Sequence, residues 1–388
     1  MCIADGIQYI GADDKELDLF EGQYVIPHGI SYNSYVIIDE KVAVLDTIDS
    51  RCTQQWLANL KQALGDRQPD YLVVSHMEPD HAANVKRLLD MAPQAQVVCT
   101  AKAKQLITRF FGVELPAERT VVVKDGDTLS LGQHTLQFFT APMVHWPEVM
   151  MEYEQTEKIL FAADAFGKFG ALDYDDPDGW ACEARRYYFN IVGKYGAQVQ
   201  AVLKKLSGVD IKTICPLHGP ILKGDLTPYL SLYDTWSAYR PETEGVFIAY
   251  CSLHGNTEEA ALKLAEMLKQ HDGVKVSVSD LRRDDMAEAV EDAFRYDRMV
   301  LAAPTYDAGV MPVMEDFLLH LKMKNFQNRK VAFIENGSWA PVAAKKMREK
   351  IEEMKNMTII EPMVTVESVV SSATLEALQQ LAEALVKA

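Results

Sequence analysis

The chain has 388 residues, of which 48% are hydrophobic and 24% charged, and a formal net charge of -17. This composition excludes disorder and low-complexity material, and the length predicts two domains rather than one. An acidic chain offers no footprint for nucleic acid or an anionic membrane, and no apolar run approaches the ~20 residues of a membrane helix.

In chain order, the first part reads as β-rich with helices interposed. Strands are expected at Gln23–Ile26, Asn33–Ile38 and Lys41–Leu45, then a helix at Thr53–Leu64 and a strand at Asp70–Val74. Helix His81–Asp90, strand Gln96–Thr100 and helix Ala103–Phe110 continue the pattern. Strands follow at Thr120–Val123, Thr135–Thr140, Val149–Glu154 and Lys158–Ala162. One long helix is expected over Trp180–Leu206, then a short strand at Lys212–Cys215. Two sheets with helices outside fit this order better than a dinucleotide-binding domain.

The polar, proline-bearing stretch Tyr239-Arg240-Pro241-Glu242-Thr243-Glu244 marks a boundary, giving domains at 1–243 and 244–388. Beyond it, strands at Gly245–Tyr250, Val274–Val278, Arg298–Ala302, Lys330–Ile334 and Met357–Pro362 alternate with helices. Those helices are Glu258–Lys269, Asp285–Phe294, Val313–Leu321, Val342–Glu353 and Thr374–Val386. Five strands alternating with five helices predict an α/β domain, a doubly wound five-stranded parallel sheet. Acid exceeds base by 34 to 22 in residues 1–244 and by 22 to 17 in 245–388, so neither half is basic.

The strand ending at Val74 runs into Ser75-His76-Met77-Glu78-Pro79-Asp80-His81, four potential metal ligands within six residues. His145, Asp164 and His218 each follow an apolar stretch, so strand ends bring them toward one sheet edge. A single histidine after a strand is usually structural, and His134, His271 and His320 stay in that class. The set of seven is different. Four imidazoles and three carboxylates, one carboxylate shared, give each of two ions four protein ligands with positions left open. Zinc hydrolase sites lean on His and Cys, whereas the extra oxygen donor of Glu78 favours iron.

A second constellation lies in the later half. Strand Gly245–Tyr250 runs through Cys251 into Ser252-Leu253-His254-Gly255-Asn256-Thr257 and then a helix. Hydroxyls at both ends, a glycine between and a helix N-terminus behind make a phosphate cradle. It lacks both the G-K-[ST] of a nucleotide-triphosphate loop and the G-x-G-x-x-G of NAD sites. Two further strand ends join it: Pro304-Thr305-Tyr306-Asp307-Ala308-Gly309 and Asn336-Gly337-Ser338-Trp339. Tyr306 and Trp339 suit an isoalloxazine ring, so the three loops point to FMN.

The H-x-E-x-D-H run with His145, Asp164 and His218, followed by these loops, resembles the flavodiiron proteins over essentially the whole chain. Hydrolases of the lactamase superfamily show H-x-H-x-D-H instead, which makes Glu78 the discriminating residue. The resemblance implies a metallo-β-lactamase-like αββα sandwich ahead of a flavodoxin-like domain. It implies one iron on His76, Glu78 and His145, a second on Asp80, His81 and His218, and Asp164 between them. It places His28 and Tyr195 near the open face of the metals and Trp146 between metals and flavin. It implies reduction of O2 to water or of NO to N2O, in a head-to-tail homodimer or a dimer of dimers. The six cysteines form no C-x-x-C pair and no basic, apolar leader opens the chain. A cytoplasmic protein is therefore expected, reduced by an external rubredoxin or similar small redox protein.

Overall fold

Residues 1–112, 114–177 and 179–388 are described by the structure, a computed structural model. They divide into two units, Met1–Asp234 and Thr235–Ala388. In the first unit, β-branched runs such as Val42–Leu45 and Tyr71–Val74 are buried almost throughout, as strands covered on both faces require. They form the middle of a seven-stranded sheet in the order Cys2–Ala4, Ile7–Tyr9, Tyr35–Ile38, Val42–Leu45, Tyr71–Val74, Gln96–Cys99, Thr120–Val122. A six-stranded sheet faces it, in the order Thr128–Ser130, Thr135–Thr140, Met150–Glu154, Ile159–Phe161, Thr213–Cys215, Leu222–Lys223. Tyr35, Leu45, Val73 and Val98 of one sheet pack with Phe138, Met150, Phe161 and Cys215 of the other in a single core. Helix Thr53–Leu64 turns Trp56 and Leu60 inward, and the Trp56 indole donates to Ser34 Oγ at 3.1 Å.

The helix expected over Trp180–Leu206 is broken. It runs as an α-helix over Trp180–Tyr187, a π-helical turn over Tyr188–Val192, a 3-10 turn over Gly193–Tyr195 and a second α-helix over Gly196–Leu206. Ala184 through Gly193 are all buried. The irregular turns thus lie within a stretch enclosed on every side, where a helix has no exposed face.

The second unit is a parallel sheet in the order Lys275–Asp280, Thr243–Tyr250, Tyr296–Tyr306, Lys330–Asn336, with an outer position shared by Thr358–Ile359 and Val364–Val366. In chain order this is 2-1-3-4-5, the doubly wound arrangement. The fifth strand, expected at Met357–Pro362, is thus two short pieces either side of Pro362. Helix Asn256–Lys269 packs Ala261, Leu264 and Leu268 against Leu378, Leu381 and Leu385 of helix Ser372–Lys387.

All six cysteines are free. Burial raises the thiol pKa of Cys52 to about 11 and those of Cys99 and Cys251 to about 12, and moves Cys215 further up. No helix among the described residues is long and apolar enough to cross a membrane.

Candidate metal centre and flavin site

Three of the four segments of the metal cluster are set by strand ends. Strand Tyr71–Val74 delivers His76, and Glu78 stays extended at φ -61 and ψ 139. Pro79 then occupies the first helical position of Pro79–Ala82, where its missing N–H costs nothing, and the turn swings Asp80 and His81 back to the same side. Asp164 follows strand Ile159–Phe161 between two residues held at positive φ, Ala163 at 48° and Phe166 at 65°. Such backbone costs on the order of 1–3 kcal/mol per residue, so surrounding packing must impose it. His218 follows strand Thr213–Cys215 and precedes Gly219 at φ +79, where a Cβ would lie 2.6 Å from Lys168 Cγ.

The seven predicted ligands converge as two groups: His76, Glu78, His145 and Asp164, and Asp80, His81 and His218. Within each group the ligand atoms lie within 4.8 Å of one another. All four imidazoles present Nε2 to the centre. Asp164 Oδ2 lies 3.2 Å from His76 Nε2 and 3.1 Å from His145 Nε2. Its other oxygen, Oδ1, lies 3.1 Å from His81 Nε2 and 3.8 Å from His218 Nε2. One carboxylate therefore turns one oxygen to each group. Glu78 Oε2 completes the first group, 3.0 Å from His145 Nε2, and Asp80 Oδ2 the second, 3.2 Å from His218 Nε2.

The cluster fits a pair of cations. Both oxygens of Asp80, both ring nitrogens of His81, Asp164 Oδ1 and His218 Nε2 are buried without a hydrogen-bond partner among the described residues. Buried polar atoms left so are costly unless something binds them. The electrostatics agree. Burial disfavours a charged His76, yet Asp164, Glu148 and Glu78 lift its pKa well above the usual imidazole value. His145 is raised to about 9 against the same burial penalty, by Asp164 and Glu78. Asp164 and Glu78 move down, as neighbouring imidazoles outweigh burial. Seven converging ligands, four of them with buried atoms that lack partners among the described residues, are a cation site in composition and in geometry.

A layer behind the ligands fixes their orientation. His76 Nδ1 lies 2.8 Å from Glu148 Oε1, and His218 Nδ1 lies 2.7 Å from the Ser31 carbonyl. Ser75 N donates to Asp46 Oδ1 at 2.8 Å, and Ser75 Oγ donates to Glu152 Oε2 at 2.9 Å. Burial raises the pKa of Asp46 to about 6 and moves that of Glu152 well above its usual value.

The flavin-type loops sit together at the carboxyl ends of the second unit's strands. Ser252 Oγ accepts from Gly255 N at 3.0 Å, and Gly255 takes φ +93 to turn the chain into helix Asn256–Lys269. Arg282 ties this loop to its neighbours. It donates to the Ser252 carbonyl at 2.5 Å, to Glu258 at 3.0 Å, and to both Asp280 oxygens at 2.7 and 2.6 Å. The loops enclose a cleft of about 510 Å³, roomy enough for a nucleotide-sized ligand. Ser252, Leu253, His254, Asn256, Thr257, Pro304, Thr305, Asp307, Ala308, Asn336, Gly337, Ser338 and Trp339 line it, with Ala340 and Ser368 in addition. Gly255 and Gly309 shape turns beside it, and Tyr306 lines a neighbouring recess with Leu253, Arg282, Met311, Pro312 and Val313. Trp339 is 82% exposed at the rim.

Residues 30–219 match the family described as ODP family beta lactamase, and residues 248–380 match the flavodoxin family. A nitric oxide reductase from Moorella thermoacetica is 31% identical over 379 residues, covering 95% of this chain and 93% of that protein. A flavo di-iron protein variant from Thermotoga maritima has the same fold at a TM-score of 0.88 and 25% identity, covering 99% of this chain and 97% of that one. The chain belongs to the flavodiiron proteins. The rubredoxin oxygen:oxidoreductase of Desulfovibrio gigas is similar over 100% of this chain and 98% of its own, at 27% identity and a TM-score of 0.92. In this flavodiiron chain all seven clustered residues fall inside the lactamase-type match, and every loop of the cleft inside the flavodoxin match.

The remaining residues expected at the flavodiiron site are placed as follows. Trp146 sets its ring edge-to-face on His76, centroids 5.2 Å apart, and stacks on Phe110 at 6.1 Å. His28 is exposed and stacks on Tyr174 at 3.7 Å and 8°. Tyr195 is half-buried at the N-terminus of helix Gly196–Leu206, with Lys194 Nζ 5.9 Å from its ring centroid. Tyr187 was not foreseen. It is buried with its ring 5.5 Å from that of His218, and burial together with Asp164, Asp80 and Glu78 raises its hydroxyl pKa far up. Glu148 was not foreseen either. Both stand far in sequence from the ligands they face, and neither belongs to a motif.

Proposed function

We propose that the chain is a cytoplasmic oxidoreductase that reduces O2 to water or NO to N2O at an iron pair in its first domain, with FMN in its second. The net reactions are O2 + 4 e⁻ + 4 H⁺ → 2 H2O and 2 NO + 2 e⁻ + 2 H⁺ → N2O + H2O. One observation supports this reading above the others: a single buried carboxylate, Asp164, offers its two oxygens to two separate groups of donors. Similar proteins are named nitric oxide reductase and rubredoxin oxygen:oxidoreductase. When bound, the iron pair supplies a site for a diatomic gas and electrons for it, and FMN supplies the reducing equivalents that restore them.

In this assignment His76, Glu78 and His145 would hold one iron, Asp80, His81 and His218 the other, and Asp164 would serve both. Trp146 covers the His76 side. Tyr187, buried with its ring 5.5 Å from that of His218, is a phenol we assign to the metal-facing wall, alongside the Tyr195 and His28 expected there. Ser252–Thr257 would hold the 5′-phosphate of FMN, and Trp339 and the Pro304–Gly309 loop would receive its ring. We keep the sequence boundary at 243 and 244, which falls at the first strand of the unit that begins at Thr235. A head-to-tail homodimer, or a dimer of dimers, brings the flavin of one subunit to the metals of another. A small redox protein such as a rubredoxin is the electron donor.

The test quantifies iron, zinc and FMN on one sample, then mixes the anaerobically reduced protein with O2 and with NO in a stopped-flow instrument. Two irons and one FMN per chain, with flavin reoxidised by either gas, support the proposal, and the faster gas names the substrate. Zinc in place of iron, or a flavin indifferent to both gases, sinks it in favour of a two-zinc hydrolase.

A further inference from the structure

The two donor groups are supported differently, and the difference has a chemical consequence. His76 Nδ1 faces the carboxylate Glu148 at 2.8 Å. His218 Nδ1 faces only a backbone carbonyl, Ser31 O, at 2.7 Å. His81 Nδ1 has no partner among the described residues. Glu148 is 1% exposed, and its Oε1 also accepts from Met77 N at 2.9 Å, so that oxygen is held by two donors, while Oε2 is buried without a hydrogen-bond partner among the described residues. Its backbone is held as well, since Thr100 Oγ1 donates to the Glu148 carbonyl at 3.0 Å.

A carboxylate behind a metal-binding imidazole does two things. It sets the tautomer with hydrogen on Nδ1 and the lone pair on Nε2, and it makes that lone pair more basic. Only one group here has such support. We propose that Glu148 is a positioning residue that makes the two metal positions inequivalent: the His76–Glu78–His145 position binds first and tightly, and the Asp80–His81–His218 position is the exchangeable one. This inference rests on the two-metal reading above.

The test strips the full-length protein of metal with a chelator and titrates it with Co(II) alone, followed by calorimetry and by the visible absorption of the bound ion. Two successive steps of one ion each are expected, well separated in affinity. Glu148→Ala should weaken the first step by roughly 10–100-fold and leave the second in place, the range for loss of such an outer partner. Glu148→Gln keeps an acceptor for both N–H groups without the charge, so its first step should fall between wild type and Glu148→Ala. FMN content and thermal melting report whether each variant folds, and if Glu148→Ala does not, Glu148→Gln carries the comparison. Two equal steps in the wild type, or a first step unchanged in the variants that fold, overturn the inference. Fewer than two Co(II) per wild-type chain would instead remove the two-metal reading on which it stands.

Discussion

His145 comes from a loop far from the H-x-E-x-D-H run, yet its Nε2 sits 3.0 Å from Glu78 and 3.1 Å from Asp164. Replacing it with alanine should cut bound iron from two per chain to one or fewer while FMN stays, measured as metal and flavin content of the purified variant. Retention of both irons would refute its assignment. Arg282 tests the other site, since its guanidinium holds the carbonyl of Ser252 in the phosphate loop. A hydrogen bond from a charged group is worth about 1.5–3 kcal/mol, so Arg282→Gln should weaken FMN binding about tenfold or more in fluorescence titration. Its partner Asp280 adds a pH dependence. Burial pushes this carboxyl up, but the hydrogen bonds and charge of Arg282 pull it below the usual value. A group lowered in the folded state stabilises it above the unfolded pKa of about 3.9 and loses that effect as pH falls further. Acid unfolding of the flavin unit should therefore steepen below about pH 4, and Asp280→Asn should flatten that limb. The ligands themselves were legible in sequence because four of them crowd six residues at a strand end. Glu148 was not, because its hydrogen bond to His76 spans 72 positions and joins no local pattern.

At the scale of elements, amphipathic periodicity located nearly every helix of the second unit, and side-chain caps sharpened their ends. Asp285 accepts from Ala287 N at 2.6 Å and Glu288 N at 3.3 Å at the start of helix Met286–Arg295. Removing such a cap costs about 1 kcal/mol. For a unit of this size, Asp285→Ala should lower the temperature of flavin release by about 2–4 °C in a thermal melt. What escaped the sequence has physical causes. The hairpin of Cys2–Ala4 and Ile7–Tyr9 is too short to show alternation, and its signal is the Asp5-Gly6 turn, with Gly6 at φ +66. The break after Tyr187 carries no proline, and glycine comes only at 193 and 196, so the helical period runs through it unmarked. The break lies within the continuous burial of Ala184 to Gly193, which depends on what the rest of the unit places around the segment.

For the molecule as a whole, the net charge of -17 governs encounters. Both halves of the chain share the acid, so a negatively charged donor approaches against repulsion from either. Raising ionic strength from about 10 to 150 mM shortens the screening length from roughly 30 to 8 Å. Flavin reduction by such a donor should accelerate over this range in stopped-flow traces. Slowing instead would reveal a local basic landing site that overrides the net charge. Neither the fold of a domain nor its chemistry depends on this charge, which is why composition excluded partners long before it suggested a function.

The buried thiols carry a consequence for the protein's own survival. Oxidants and nitrosating species attack the thiolate, and a thiol with a pKa near 12 is almost never ionised at neutral pH. Cys52, Cys99, Cys215 and Cys251 are all raised in this way, and Cys2 is the one fully exposed cysteine. A colorimetric disulfide reagent at pH 7 should therefore modify Cys2 quickly and the buried Cys99, Cys215 and Cys251 only on unfolding. The activity proposed above would bathe the protein in the precursors of damaging species, and the three buried thiols offer them little within the native fold to corrode.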